Sequence, residues 1–184
     1  MNTVQILYKK HTIRKILFIL LSFTLFYCED KNDDVLNNNE SEGLVINEFL
    51  AKNNACCTDE NGEYDDWVEI YNGTDAPIDL GGMYFSDRCD DPGPYRIPNT
   101  DASITTIPVE EFLVLWCDGQ PEQGILHLDL KLSGDGEAVV LINRDGTTVI
   151  DFYTFGAQTS NVSMGRIGND WIFFEHPTPG SSNN

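Results

Sequence analysis

The stretch AVVLINRDGTTVIDFYTF, residues 138–155, decides the fold. AVVLIN (138–143) is apolar at successive positions, and VIDFYTF (149–155) is rich in β-branched and aromatic residues. Asn143-Arg144-Asp145-Gly146 separates them with turn chemistry, so the stretch predicts a tight β-hairpin. A run that is apolar on both faces needs both faces covered, which places AVVLIN inside a sheet. FLVLWC (112–117) has the same character and carries the same expectation of a central strand.

Outward from this hairpin, short β-rich runs recur. They are LVINEFL (44–50), WVEIYN (67–72), MYFS (83–86), YRI (95–97), SITTI (103–107), LHLDLKL (126–132), SMGRI (163–167) and WIFF (171–174). Asn61-Gly62, Asn72-Gly73, Asp118-Gly119, Gly134-Asp135-Gly136 and Asp145-Gly146 punctuate them as turns. No stretch after residue 43 holds a helical period for ten residues. Many short strands at this spacing predict an all-β sandwich or barrel over residues 44–184. LHLDLKL alternates: Leu126, Leu128, Leu130 and Leu132 should face the core, with His127, Asp129 and Lys131 on the opposite face.

The N-terminal segment is of a different kind. Lys9, Lys10, Arg14 and Lys15 precede a 12-residue apolar run, Ile16 to Tyr27, which is too short to span a bilayer. Residues 1–27 therefore read as a signal peptide. The run ends at Cys28, with Leu25 three positions before it, which resembles a bacterial lipobox and implies lipidation of Cys28. Tyr27 stands where that signal usually has a small residue, and a plain secretory signal is the alternative. Residues 28–43 are acidic and Asn-rich, and cannot bury apolar area. They read as a flexible tether. Acidic residues directly behind the lipidated Cys resemble a surface-export signal. The expected location is an outer-membrane lipoprotein of a Gram-negative bacterium, exposed at the cell surface or held on the periplasmic side.

Charge narrows the partners. The chain has a net charge of −19, and four of its 11 Lys and Arg lie in residues 1–27. Residues 28–184 hold the other seven against all 30 Asp and Glu. Neutralising phosphates needs clustered Lys and Arg, so no nucleic-acid partner is expected. The membrane is expected to be met through the N-terminal lipid rather than through the folded surface.

Three groups of residues could carry chemistry. Cys56, Cys57, Cys89 and Cys117 follow an export signal, where disulfides are the default. Adjacent cysteines bridge each other only through a strained ring, which favours Cys56 and Cys57 each bonding outward to Cys89 and Cys117. A four-thiolate zinc site is the rival, without its usual paired spacing. Asp59-Glu60-Asn61-Gly62-Glu63-Tyr64-Asp65-Asp66 packs five carboxylates and an amide oxygen into eight residues. Asp59, Asn61, Glu63, Asp65 and Asp66 are candidate Ca²⁺ ligands, since Ca²⁺ takes 6–8 oxygens on flexible loops. The spacing is not that of an EF-hand, and a solvated Asn-Gly turn is the alternative. Asp87, Asp90 and Asp91 form a second acidic cluster. His127 reads as a surface or hydrogen-bonding histidine, or as a metal ligand with Asp129; His176 lies in a loop. G-x-S-x-G, H-E-x-x-H, G-x-x-x-x-G-K-[ST] and C-x-x-C are all absent.

The ordered set of motifs resembles the lamin tail domain. The matching pieces begin with Ile46-Asn47-Glu48-Phe49, Asp66-Trp67-Val68-Glu69-Ile70-Tyr71-Asn72 and Asp79-Leu80-Gly81-Gly82-Met83-Tyr84-Phe85-Ser86-Asp87. Phe112-Leu113-Val114-Leu115-Trp116 follows, then Leu126 to Ser133 leading into Gly136-Glu137. Ser163-Met164-Gly165-Arg166, Trp171 and Pro177-Thr178-Pro179-Gly180 complete the set. Pro108-Val109-Glu110-Glu111 departs from it, because the family usually has a Gly-containing turn there. The resemblance implies an immunoglobulin-like β-sandwich and an interaction module more than an enzyme. The expected function is a non-catalytic, lipid-anchored surface module binding a protein or glycan, with Ca²⁺ as a candidate cofactor. A metal-dependent hydrolase using the acidic loops is the alternative.

Overall fold

The computed structural model describes residues 43–91 and 93–183. The expected signal peptide, the expected lipidation site Cys28 and almost all of the expected tether lie outside the described residues. Among the described residues, eleven strands and one helical turn follow in chain order: β1 (Leu44–Leu50), β2 (Trp67–Asn72), β3 (Ile78–Asp79), β4 (Tyr84–Ser86), β5 (Tyr95–Arg96), α1 (Ala102–Thr105), β6 (Thr106–Ile107), β7 (Phe112–Trp116), β8 (Glu137–Ile142), β9 (Val149–Phe155), β10 (Ser163–Ile167) and β11 (Asp170–Phe174). All strand pairs are antiparallel. One sheet runs β11-β10-β1-β2-β7, a second runs β5-β4-β8-β9, and β3 and β6 make a short ribbon. The result is an immunoglobulin-like β-sandwich.

The core forms between the two sheets. Ile46 and Phe49 from β1, Val68 and Ile70 from β2, Phe85 from β4, and Val139 and Leu141 from β8 are fully buried there. Phe49 carries the packing across the gap: its ring lies 4.5 Å from Phe155 and 6.2 Å from Tyr153 on β9, centroid to centroid. A side chain of this size contributes about 1.5–3 kcal/mol on full burial. Arg166 of β10 ties the layers at one side, with hydrogen bonds to both Asp151 carboxylate oxygens and a face-on contact with Trp171. Gly136 enters β8 at φ +111°, where a Cβ would stand 2.8 Å from the Phe155 carbonyl oxygen, so only glycine fits.

Three expected strands need correction. AVVLIN is interior, between β4 and β9, but FLVLWC is an edge strand of the five-stranded sheet. Leu115 is buried in the main core with Leu113 packed against it, and Phe112 meets the Tyr71 ring of β2. SITTI is strand only at Thr106–Ile107, because Asp101 caps a helical turn over the residues before. LHLDLKL is not a strand: its ladder contacts are isolated bridges at His127 and Lys131. Its leucines do reach the core.

The outer face of the five-stranded sheet is covered by the C-terminal tail. Glu48 and Glu69 sit opposite one another on β1 and β2, and both are fully buried. Thr178 donates to Glu48 through its backbone N–H and hydroxyl, Ser163 donates through its hydroxyl, and the Gly180 N–H donates to Glu69. Asn183 donates its amide to the carbonyls of Asn47 and Arg166.

Candidate functional site

The acidic loop lies at the entrance to β2 and is held by hydrogen bonds rather than left to solvent. Asn53 organises it: its N–H reaches Asp66 at 2.8 Å, and its amide reaches the Cys57 and Asp65 carbonyls. Asp59 accepts from the N–H groups of Asn61 and Glu63, closing a tight turn. Burial raises the Asp59 carboxyl, these donors outweigh it, and the net direction is down. Gln123 then staples this turn to the loop after β7, accepting from Asn61 at 3.0 Å and donating to Glu63 at 2.9 Å.

The loop after β7 brings in a histidine. Trp116 at the end of β7 exchanges backbone hydrogen bonds with Leu126 and Leu128, which draws residues 126–128 alongside it. His127 is thereby buried completely. Its Nδ1 is hydrogen-bonded to Asp118, itself almost fully buried, and its Nε2 lies 3.2 Å from Glu60. Burial alone would lower the imidazole, but the two carboxylates prevail and hold it above its ordinary range. Asp129, expected beside His127, points to solvent instead, because the segment is not a strand and its alternation does not apply.

Donor atoms of Asp59, Glu60 and His127 lie within 4.8 Å of one another, and so do those of Asp59, Glu63 and Asp65. The two groups share Asp59. Of the five candidate Ca²⁺ ligands, Asp59, Glu63 and Asp65 are brought together. Asn61 turns its amide nitrogen to Asp59 and Gln123, and Asp66 accepts from Asn53, so these two act as struts. Asp65 is raised by burial first and then by the charges of Asp118, Asp59 and Glu63. A polar cavity of about 350 Å³ opens beside it, lined by Lys52, Asn54, Asp65, Asp118 and Lys131, with the half-exposed Tyr64 ring at its rim. In the second acidic cluster Asp91 is engaged by Ser86, Arg88 and the Gly93 N–H.

The cysteines do not take the expected pairing. Cys56, Cys57 and Cys117 are free thiols. Cys117 is buried in the main core, where it packs as a small apolar group. Burial, reinforced by the neighbouring Cys56, pushes the Cys57 thiol up to about 12.

The family model of the lamin tail domain matches residues 37–157, about two-thirds of the chain. The chain belongs to the lamin tail domain family. No curated protein and no solved structure matches the chain significantly. The lamin tail domain is an immunoglobulin-like module that generally serves interaction rather than catalysis. In this lamin tail domain the match ends before β10 and β11, which nevertheless complete the five-stranded sheet. Glu60 and Asp118 are the site residues that sequence reasoning passed over. Glu60 was one of five loop carboxylates with nothing to single it out, and Asp118-Gly119 reads as a turn. The turn was the signal: a turn that closes on His127 must carry its aspartate with it.

Proposed function

We propose that this protein is a non-catalytic interaction module, anchored through a lipid on Cys28 at the outer membrane of a Gram-negative bacterium and exposed at the cell surface. The face formed by residues 53–66 and 118–131 binds a protein or glycan. The observation that carries the reading is the polar cavity beside Tyr64, where amide, carboxylate and ammonium groups stand next to an exposed ring. Hydroxyl-rich ligands are held by such side chains, with an aromatic surface for their apolar face. A divalent cation in the adjoining acidic loop would brace this face. The strong negative balance of residues 28–184 speaks against nucleic acid as the partner.

The hydrolase alternative draws on the His127–Asp118 pair, an arrangement also used by general bases. One experiment separates the two. The purified full chain is applied to a glycan array and to a cell-surface pull-down, with Ca²⁺ and with chelator. Retention of a ligand without turnover, lost in Tyr64→Ala, is the expected result. Release of a cleaved product would establish the hydrolase instead.

A further inference from the structure

The acidic loop alone would carry no more than the calcium expectation, but the buried histidine changes its chemistry. We infer that His127, Asp59 and Glu60 form a binding site for a divalent transition metal of the zinc class, with Asp118 as the positioning residue behind the histidine. The inference deepens the interaction reading and rests on it only for the use of the site.

Ligand type argues first. Ca²⁺ takes 6–8 oxygens, whereas one imidazole nitrogen with carboxylates suits Zn²⁺ and its neighbours. The histidine is also prepared for this role. A metal-bound histidine almost always gives its second nitrogen to a carboxylate or carbonyl, which fixes the tautomer and the ring. Here Nδ1 faces the buried Asp118, leaving Nε2 aimed at Glu60 and Asp59.

A second, independent observation lies on the far side of Asp59. Oδ2 of Asp65 is buried and has no hydrogen-bond partner. A buried acceptor left unmatched is costly, and more so when charged. Asp65 is grouped with Asp59 and Glu63, so it stands beside a carboxylate of the proposed site. The frame is already rigid through Asn53, Asn61 and Gln123. Tetrahedral ligands at about 2.1 Å from a metal lie roughly 3.5 Å apart, so the site closes by about an ångström. Glu60, whose side chain is 64% exposed, is free to supply that movement. Nε2 stands 3.2 Å from Glu60, and a metal takes its lone pair only once any proton there has left. That proton goes to water.

Isothermal titration of the full chain with ZnCl₂ and with CaCl₂ tests the site. Zn²⁺ should bind more tightly than Ca²⁺ and release a proton, seen as a dependence of the heat on buffer. Glu60→Gln should weaken Zn²⁺ by tenfold or more; its exposure keeps the fold out of question. Asp118→Asn should weaken it 10- to 100-fold and alter the proton release, which a purely structural role would not do. Cys56→Ser with Cys57→Ser should leave Zn²⁺ affinity unchanged. Loss of binding in that double variant, with Glu60→Gln and His127→Gln unaffected, would overturn the site in favour of thiolates. Tighter Ca²⁺ than Zn²⁺, indifferent to His127→Gln, would overturn the histidine ligand while leaving the interaction reading intact, since that is read on the array.

Discussion

Glu48 and Glu69 are carboxylates placed where carboxylates are costly. Glu69 is pushed up to about 7, chiefly by burial and then by the neighbouring Glu48, against the donors Gly180 and Asn47. Unfolded, its carboxyl returns to about 4.5. Between these values the unfolded chain ionises while the folded one keeps its proton. Stability from this group is therefore full below about pH 4.5 and falls as pH rises toward 7, by about 3 kcal/mol in all. Glu69→Gln cannot ionise. Its stability relative to the wild type should rise from pH 5 to pH 8 in urea unfolding, and a flat difference would show that Glu69 is ionised throughout. Glu110 is a second residue under strain, with φ 59° in the turn before β7. A left-handed non-glycine residue costs about 1–2 kcal/mol. Glu110→Gly should raise stability by about 1 kcal/mol, part of the relief being lost to unfolded-chain entropy. That turn was legible, since the family usually has glycine there. Glu69 was not: beside Val68 and Ile70 it reads as an outward, solvated residue, and its cover comes from residue 180.

At the scale of elements, the segment 126–132 shows what alternation can and cannot tell. Four leucines at every second position did mark a core-facing row, and Leu128 and Leu132 are buried. Alternation says nothing of whether a partner strand exists. Here the Leu126 carbonyl and Leu128 N–H are taken by Trp116, and the segment bends round the end of β7 instead of extending a sheet. The candidate site follows from that bend, which is why its loop carboxylates and His127 were each visible in sequence and their pairing was not. The tail is the other element whose role had no sequence signal. Its seat depends on Gly165: a Cβ there would stand 2.6 Å from the Asn183 amide nitrogen and 3.1 Å from Glu48 Cγ. Gly165→Ala should unseat the tail and destabilise the domain by about 1–3 kcal/mol. Carboxypeptidase should then trim residues 178–184 faster than in the wild type. Equal trimming would mean that the tail is already loose.

For the whole molecule, anchoring and folding are separate problems. The anchoring proposal turns on one sulfur: Cys28→Ala should shift the protein from the membrane fraction to the soluble fraction, or leave an unprocessed precursor. Wild-type fractionation and mobility would dismiss the lipid. Folding turns on sheet order. β1 has β2 on one side and β10 on the other, with Glu48 facing Gly165 across 117 positions of chain. A protein emerging from a ribosome or a translocation channel presents β1 long before β10. Until then one flank of β1 exposes unpaired N–H and C=O groups, a template for pairing with another chain. Closing so long a loop before any contact repays it also slows folding, toward the milliseconds-to-seconds range of sandwiches. The nascent chain is therefore an open-edged intermediate from the emergence of β1 until that of β10, more than a hundred residues later.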